Sequence, residues 1–91
     1  MQKTFKALAN PVRRKILVLL RKQDMSATDI SNNFKQTNAT ISHHLSVLKE
    51  CDLIEERKEK NFIYYRLNVS VVDEILCYFN ELRGSGNEKD K

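Results

Sequence analysis

The stretch TNATISHHLSVLKE, Thr37 to Glu50, decides the reading of this chain. It holds both histidines of the sequence, His43 and His44, side by side. Adjacent histidines invite a metal site, yet the pattern around them describes a helix with two unlike faces. Successive residues advance about 100° around an α-helix. With Ile41 at zero, Leu45 falls at about 40° and Leu48 at about 340°, so these three define a buried face. His44 falls at about 300°, on the edge of that face. Ser42, Ser46, Ala39 and His43 fall at roughly 100°, 140°, 160° and 200°, on the outer side. The outer face carries short hydrogen-bonding side chains instead of the Glu and Lys of a solvated helix. Such a face can approach another surface closely, and Ser, Thr, Asn and His can bond base edges.

The flanking segments supply the setting. Before this helix, Ser26-Ala27-Thr28-Asp29 reads as a capping box with Asp in place of Glu or Gln. It opens a short helix from Ala27 to about Phe34 that presents Ile30 and Phe34. A brief turn, Lys35-Gln36, leads to Thr37 as the next N-cap, and the helix runs from Asn38 to about Cys51. Helix, short turn, helix is the helix-turn-helix layout. Further upstream, Asn10-Pro11 starts a helix to about Arg21, because Asn caps well and Pro fits the first helical position. Val12, Ile16, Leu19 and Leu20 form its buried face. Lys3 to Ala9 is a short amphipathic stretch with Phe5, Leu8 and Ala9 on one side.

Downstream the period changes. Ile54–Lys58 and Phe62–Leu67 read as a β-hairpin with Glu59-Lys60-Asn61 at its tip, where Asn61 is best suited to positive φ. Asn68 or Ser70 caps a last helix to about Arg83, with Val72, Ile75, Leu76, Phe79 and Leu82 as a broad apolar stripe. The expected order is α-α-α-α-β-β-α: a mainly α, winged helix-turn-helix domain over residues 1–83. The polar tail GSGNEKDK, 84–91, is expected to be disordered.

Charge and composition narrow the function. Ninety-one residues allow one domain with a modest core, for which a partner subunit adds stability. The net charge is +4, but residues 1–23 carry Lys3, Lys6, Arg13, Arg14, Lys15, Arg21 and Lys22 with no acid. A basic half on a small domain suits a polyanion, although charge alone is equally compatible with a solvated surface. No apolar run reaches the length of a membrane span and no signal-peptide core is present, so a cytoplasmic protein without membrane insertion is expected. Two cysteines, Cys51 and Cys77, make no disulfide framework and read as reduced side chains. Both glycines lie in the tail, so the folded part has no phosphate loop. With no paired carboxylates in an evident cleft and no nucleophile motif, an enzyme is not expected.

ALANPVRRKILVLL, SATDIS, TNATISHHLSVLKECDLI and RKEKNFIYYRLN, in this order and spacing, resemble the ArsR family of winged-helix repressors, in its short, ligand-poor form. The resemblance covers Phe5 to about Leu82. It implies a homodimer joined through the first and last helices, repressing transcription from a roughly palindromic double-stranded operator near its own or a neighbouring promoter. It places base reading on Asn38, Ala39, Thr40, Ser42, His43 and Ser46. Backbone and wing contacts fall to Thr37, Arg57, Lys58 and Lys60, and dimerisation to Phe5, Leu8, Val72, Ile75, Leu76 and Phe79. The same apolar stripe also reads as intramolecular core.

The chain departs from the family's pattern in three places. The wing turn lacks a glycine. The segment MSATDIS lacks the Cys-x-Cys of metal sensors. The last helix offers Asp73, Glu74, Cys77 and Glu81 but no histidine. His43 and His44 diverge by about 100° and do not readily share a tetrahedral ion. No metal or other cofactor is therefore expected, and the inducer, whether a small molecule or a sequestering protein, is left open. The alternative is a redox- or metal-responsive sensor using Cys51 and Cys77. Lys49 favours the Cys51 thiolate, while Glu50 and Asp52 oppose it.

Overall fold

A computed structural model describes residues 1–84. In chain order its elements are α1 (Gln2–Leu8), α2 (Pro11–Lys22), β1 (Met25–Ser26), α3 (Ala27–Ser31), α4 (Asn38–Glu50), β2 (Ile54–Glu59), β3 (Phe62–Leu67) and α5 (Val69–Arg83). This is a winged helix-turn-helix, α3 and α4 forming the two-helix motif and β2–β3 the wing. Of the tail expected to be disordered, all but Gly84 lies outside the described residues.

Local chemistry accounts for most boundaries. The Asn10 carboxamide accepts from the N–H groups of Val12 (2.8 Å) and Arg13 (3.1 Å), satisfying two orphan donors at the start of α2. At α3 the capping box closes both ways: Asp29 N–H donates to Ser26 Oγ (3.1 Å) and Ser26 N–H to Asp29 Oδ2 (3.3 Å). α3 stops at Ser31, short of the expected Phe34. The Asn33 side chain donates to Asp29 O (3.0 Å) and satisfies a carbonyl that another turn of helix would have used.

The end of α4 is a Schellman motif. Asp52 N–H donates to Lys49 O and Leu53 N–H to Leu48 O, both at 3.0 Å. Leu48 and Leu53 are fully buried, supplying the apolar contact that accompanies this motif. Asp52 takes the left-handed conformation (φ 63°) usually given to glycine. The carbonyl of Leu53 in turn accepts from Asn68 N–H (3.0 Å) at the mouth of α5.

The sheet has the order β1-β3-β2, all antiparallel. β1 was not expected; Met25 and Ser26 pair with Tyr65 and Tyr64. The wing turn also differs from expectation. β2 extends to Glu59, opposite Phe62, leaving Lys60-Asn61 as a two-residue loop, and Lys60 rather than Asn61 takes positive φ (57°). Positive φ at the first central residue is shared by the primed hairpin turns, whose twist matches that of the strands.

The core gathers Ala7, Ile16, Leu20, Met25, Ile30, Ile41, Leu45, Leu48, Leu53, Ile54 and Ile75. Ile16 and Leu20 of α2 are fully covered, while Val12 and Leu19 pack from its margin. On α1 the buried residues are Thr4 and Ala7; Phe5 and Leu8 are half-buried, and Ala9, the C-cap, is exposed. α5 contributes only Ile75 to the buried set, and Leu76, Phe79 and Leu82 remain open to solvent.

Candidate nucleic-acid interface

α4 is held by its inner face and presents its outer one. Ile41, His44, Leu45 and Leu48 are buried; Thr37, Asn38, Ala39, Thr40, Ser42, His43 and Ser46 are exposed. The first turn is pre-arranged. Thr37 Oγ1 accepts from Thr40 N–H (3.1 Å), and the Thr37 hydroxyl donates to Thr40 Oγ1 (2.9 Å). Ser31, the last residue of α3, donates its hydroxyl to Asn38 Oδ1 (3.0 Å), tying the two helices of the motif at their corner.

The two histidines part company. His43 is exposed, with its ring centroid 5.9 Å from that of His44. His44 is only 6% exposed, and its Nδ1 has no hydrogen-bond partner among the described residues. Burial, reinforced by the charges of Arg13 and His43, pushes the His44 pKa below the ordinary 6.5.

The wing cations have different occupations. Arg57 pairs with Asp24 (3.3 Å) and with Glu59, and lies 5.0 Å from the centre of the Tyr64 ring. The Asp24 bond ties the hairpin to the chain just before β1. The Glu59 hydrogen bond, ahead of the charges nearby, holds the Arg57 pKa above its ordinary value. Lys58 and Lys60 are exposed at the tip. Phe62, first residue of β3, stands 60% exposed next to them; it was counted only as a β-former. An aromatic residue directly after a basic turn was the signal in the sequence that could have marked it.

The basic N-terminal half is likewise divided. Arg14 Nη1 donates to Leu8 O (2.8 Å), closing the end of α1, and Lys15 lies over the Phe34 ring at 5.7 Å. Lys3, Lys6 and Arg13 line a depression of ≈ 290 Å³ with Val47, Glu50 and Cys51.

Residues assigned to dimerisation are spread over α1 and α5. The Phe5 ring sits 5.5 Å from Tyr78 and 6.0 Å from Phe79, joining the two helices. Leu8 and Val72 are half-buried, Ile75 belongs to the chain's own core, and Leu76 and Phe79 are 55% and 46% exposed. Both cysteines are free thiols; Cys51 is half-buried with Sγ donating to Leu48 O (3.5 Å), and Cys77 is exposed. Lys49, weighed as an activator of Cys51, is instead bound to Glu56 at 2.9 Å. Among the described residues no group of three or more His, Cys, Asp and Glu side chains is placed to hold a metal ion. Nor is any helix among them long and apolar enough to cross a membrane.

Known proteins share both sequence and geometry. Residues 10–56 match the family described as bacterial regulatory protein, arsR family. The chain is 45% identical to the transcriptional repressor SdpR of Bacillus subtilis, over 96% of its own length and 97% of that protein's. The fold superposes on an ArsR-like transcriptional regulator from a Rhodococcus species with a TM-score of 0.82 at 25% identity, covering 91% of this chain and 78% of that one. It also superposes on a homodimeric winged helix-turn-helix DNA-binding domain from Mycobacterium bovis, with a TM-score of 0.74 at 28% identity over 99% of this chain and 83% of that one. The family match spans the capped α2, the helix-turn-helix and the start of the wing, and the likeness to the repressor extends over nearly the whole chain: this protein belongs to the ArsR family of bacterial regulators.

Proposed function

We propose that this protein is a homodimeric transcriptional repressor that reads a roughly palindromic operator at its own promoter through α4, without a metal inducer. The observation that carries the reading is the outer face of α4. Its inner face is anchored by Ile41, His44, Leu45 and Leu48, while short polar groups project outward from its first turns. In a helix-turn-helix the N-terminal part of the second helix enters the major groove. Asn38, Thr40, Ser42, His43 and Ser46 then bond base edges, and the methyl of Ala39 suits a thymine methyl. Lys58 and Lys60 reach phosphates beside the groove, and Thr37 supports that contact. These interactions add affinity without sequence information.

Dimerisation is supported by the open apolar edge of α5 next to Phe5, and by the homodimeric state named for the Mycobacterium bovis domain. Two copies place two recognition helices in successive major grooves about one helical turn apart. Repression follows from occupancy of the promoter, with no chemical step. The absence of a metal inducer rests on the lack of cysteine in MSATDIS and of histidine in α5.

Gel-shift titration on duplex from the protein's own promoter, against a shuffled duplex, tests this function. Ser42→Ala and His43→Ala should weaken binding to the promoter more than to the shuffled sequence. Equal losses on both would count against base reading. Release of the promoter by micromolar zinc would overturn the metal-free part.

A further inference from the structure

The corner between α3 and α4 does more than close the motif. A free asparagine side chain pairs with adenine at two points, accepting from N6 and donating to N7. That pairing needs both ends of the carboxamide to face the base. In this protein the Asn38 oxygen is turned toward α3, where it accepts the Ser31 hydroxyl at 3.0 Å. The amide nitrogen, at the other end of the planar group, is the end left for a ligand. The contact sits at an open cleft of ≈ 230 Å³ lined by Ala27, Thr28, Ser31, Asn38, Ile41 and Ser42, and Asn38 is exposed there. Two residues on, Thr40 Oγ1 already accepts from Thr37, which leaves the Thr40 hydroxyl proton as its outward function. Thr40 lies about 200° from Asn38 around the helix, so its donor serves a different contact.

We propose that Ser31 is a specificity-determining residue: by holding the Asn38 oxygen toward α3 it turns the amide nitrogen to the base, so that Asn38 favours guanine over the two-point pairing with adenine. Guanine is the base whose major-groove edge presents two acceptors, N7 and O6; adenine and cytosine each place an amino donor there. Ser31 acts through Asn38 and is a positioning residue that need not touch DNA. The proposal rests on α4 being the base-reading helix.

The test is selection of full-length protein on a randomised duplex library, with sequencing of the bound fraction, for wild type, Ser31→Ala, Asn38→Ala and Asn38→Asp. Asn38→Ala identifies the position that Asn38 reads, as the one whose preference it erases. Wild type should enrich guanine there. Ser31→Ala frees the carboxamide and should move that position toward adenine by about tenfold or more, with other positions unchanged. Asn38→Asp still accepts from Ser31 but presents a second acceptor oxygen, and should move the position toward cytosine, whose N4 amino group donates. A Ser31→Ala selection identical to wild type, or adenine or cytosine enriched by wild type at that position, overturns the proposal while leaving operator reading by α4 intact. If wild type enriches no sequence, the reading of α4 itself fails and the proposal with it. Thermal melts of each variant confirm that shifts in preference come from folded protein.

Discussion

Burial disfavours the charged form of the His44 imidazole, and this has a consequence for stability. The unfolded chain takes up a proton at His44 near its ordinary pKa of 6.5, while the folded chain resists it. The contribution is therefore fully present above about pH 6.5 and is lost as pH falls through the lowered folded pKa. His44→Leu should flatten the acid limb of stability, read as a smaller difference in urea midpoint between about pH 7.5 and about pH 5; an unchanged acid limb would remove His44 as its source. His44→Ala should cost about 1–3 kcal/mol, and His43→Ala no more than about 0.5 kcal/mol, because only the first leaves a gap beside Ile41 and Leu45. The split between these neighbours was legible in the sequence, since helical geometry alone places them on different faces. The influence of the Arg13 charge on His44 was not legible, because it depends on how another helix is seated. For the same reason the sequence could place Asn38 in the first turn of this helix but could not show its bond to Ser31.

Elements here begin and end where side chains or turns satisfy exposed backbone groups. Asn10, Ser26 and Thr37 announce three helix starts in the sequence, and all three act as caps. Helix ends were harder to read. The stop at Ser31 depends on the Asn33 side chain, and the stop at Glu50 on Asp52 entering a conformation that few non-glycine residues favour. Asp52→Val should therefore cost about 1–2 kcal/mol while Asp52→Gly stays neutral or stabilises, checked by urea denaturation; equal stabilities for the two variants would contradict the strain argument. In the wing, Arg57 is a brace and Lys60 a free charge. Lys60→Ala should reduce the steepness of the salt dependence of DNA binding by about 0.9 in log–log slope, the value for one phosphate contact. Arg57→Ala should instead speed hydrogen exchange of the β2–β3 amides as the tie to Asp24 is lost. A full phosphate-sized slope change with unaltered exchange would reverse these roles. β1 escaped the sequence reading because two residues carry no periodicity, and its existence depends on Tyr64 and Tyr65 lying alongside.

At the scale of the molecule, α5 is the element whose fate is unresolved within one chain. Its apolar stripe is visible in the sequence, but periodicity cannot say which part faces the chain's own core. The structure buries Ile75 and leaves Leu76, Phe79 and Leu82 exposed. Phe79→Ala should raise the dimer dissociation constant by about tenfold or more, measured by sedimentation, since large aromatic groups in such contacts commonly contribute more than 1 kcal/mol. An unaltered dimer would move the interface elsewhere.

Leu53 uses both of its backbone hydrogen-bonding groups, the N–H on the end of α4 and the carbonyl on the start of α5. In mechanical terms it is a rivet between the helix proposed to touch DNA and the helix proposed to meet a second subunit. In the proposed dimer, the pitch at which two copies grip a duplex follows from the crossing angle of the two α5 helices, far from any base. Ligands or substitutions that alter that angle could loosen the grip without approaching the groove.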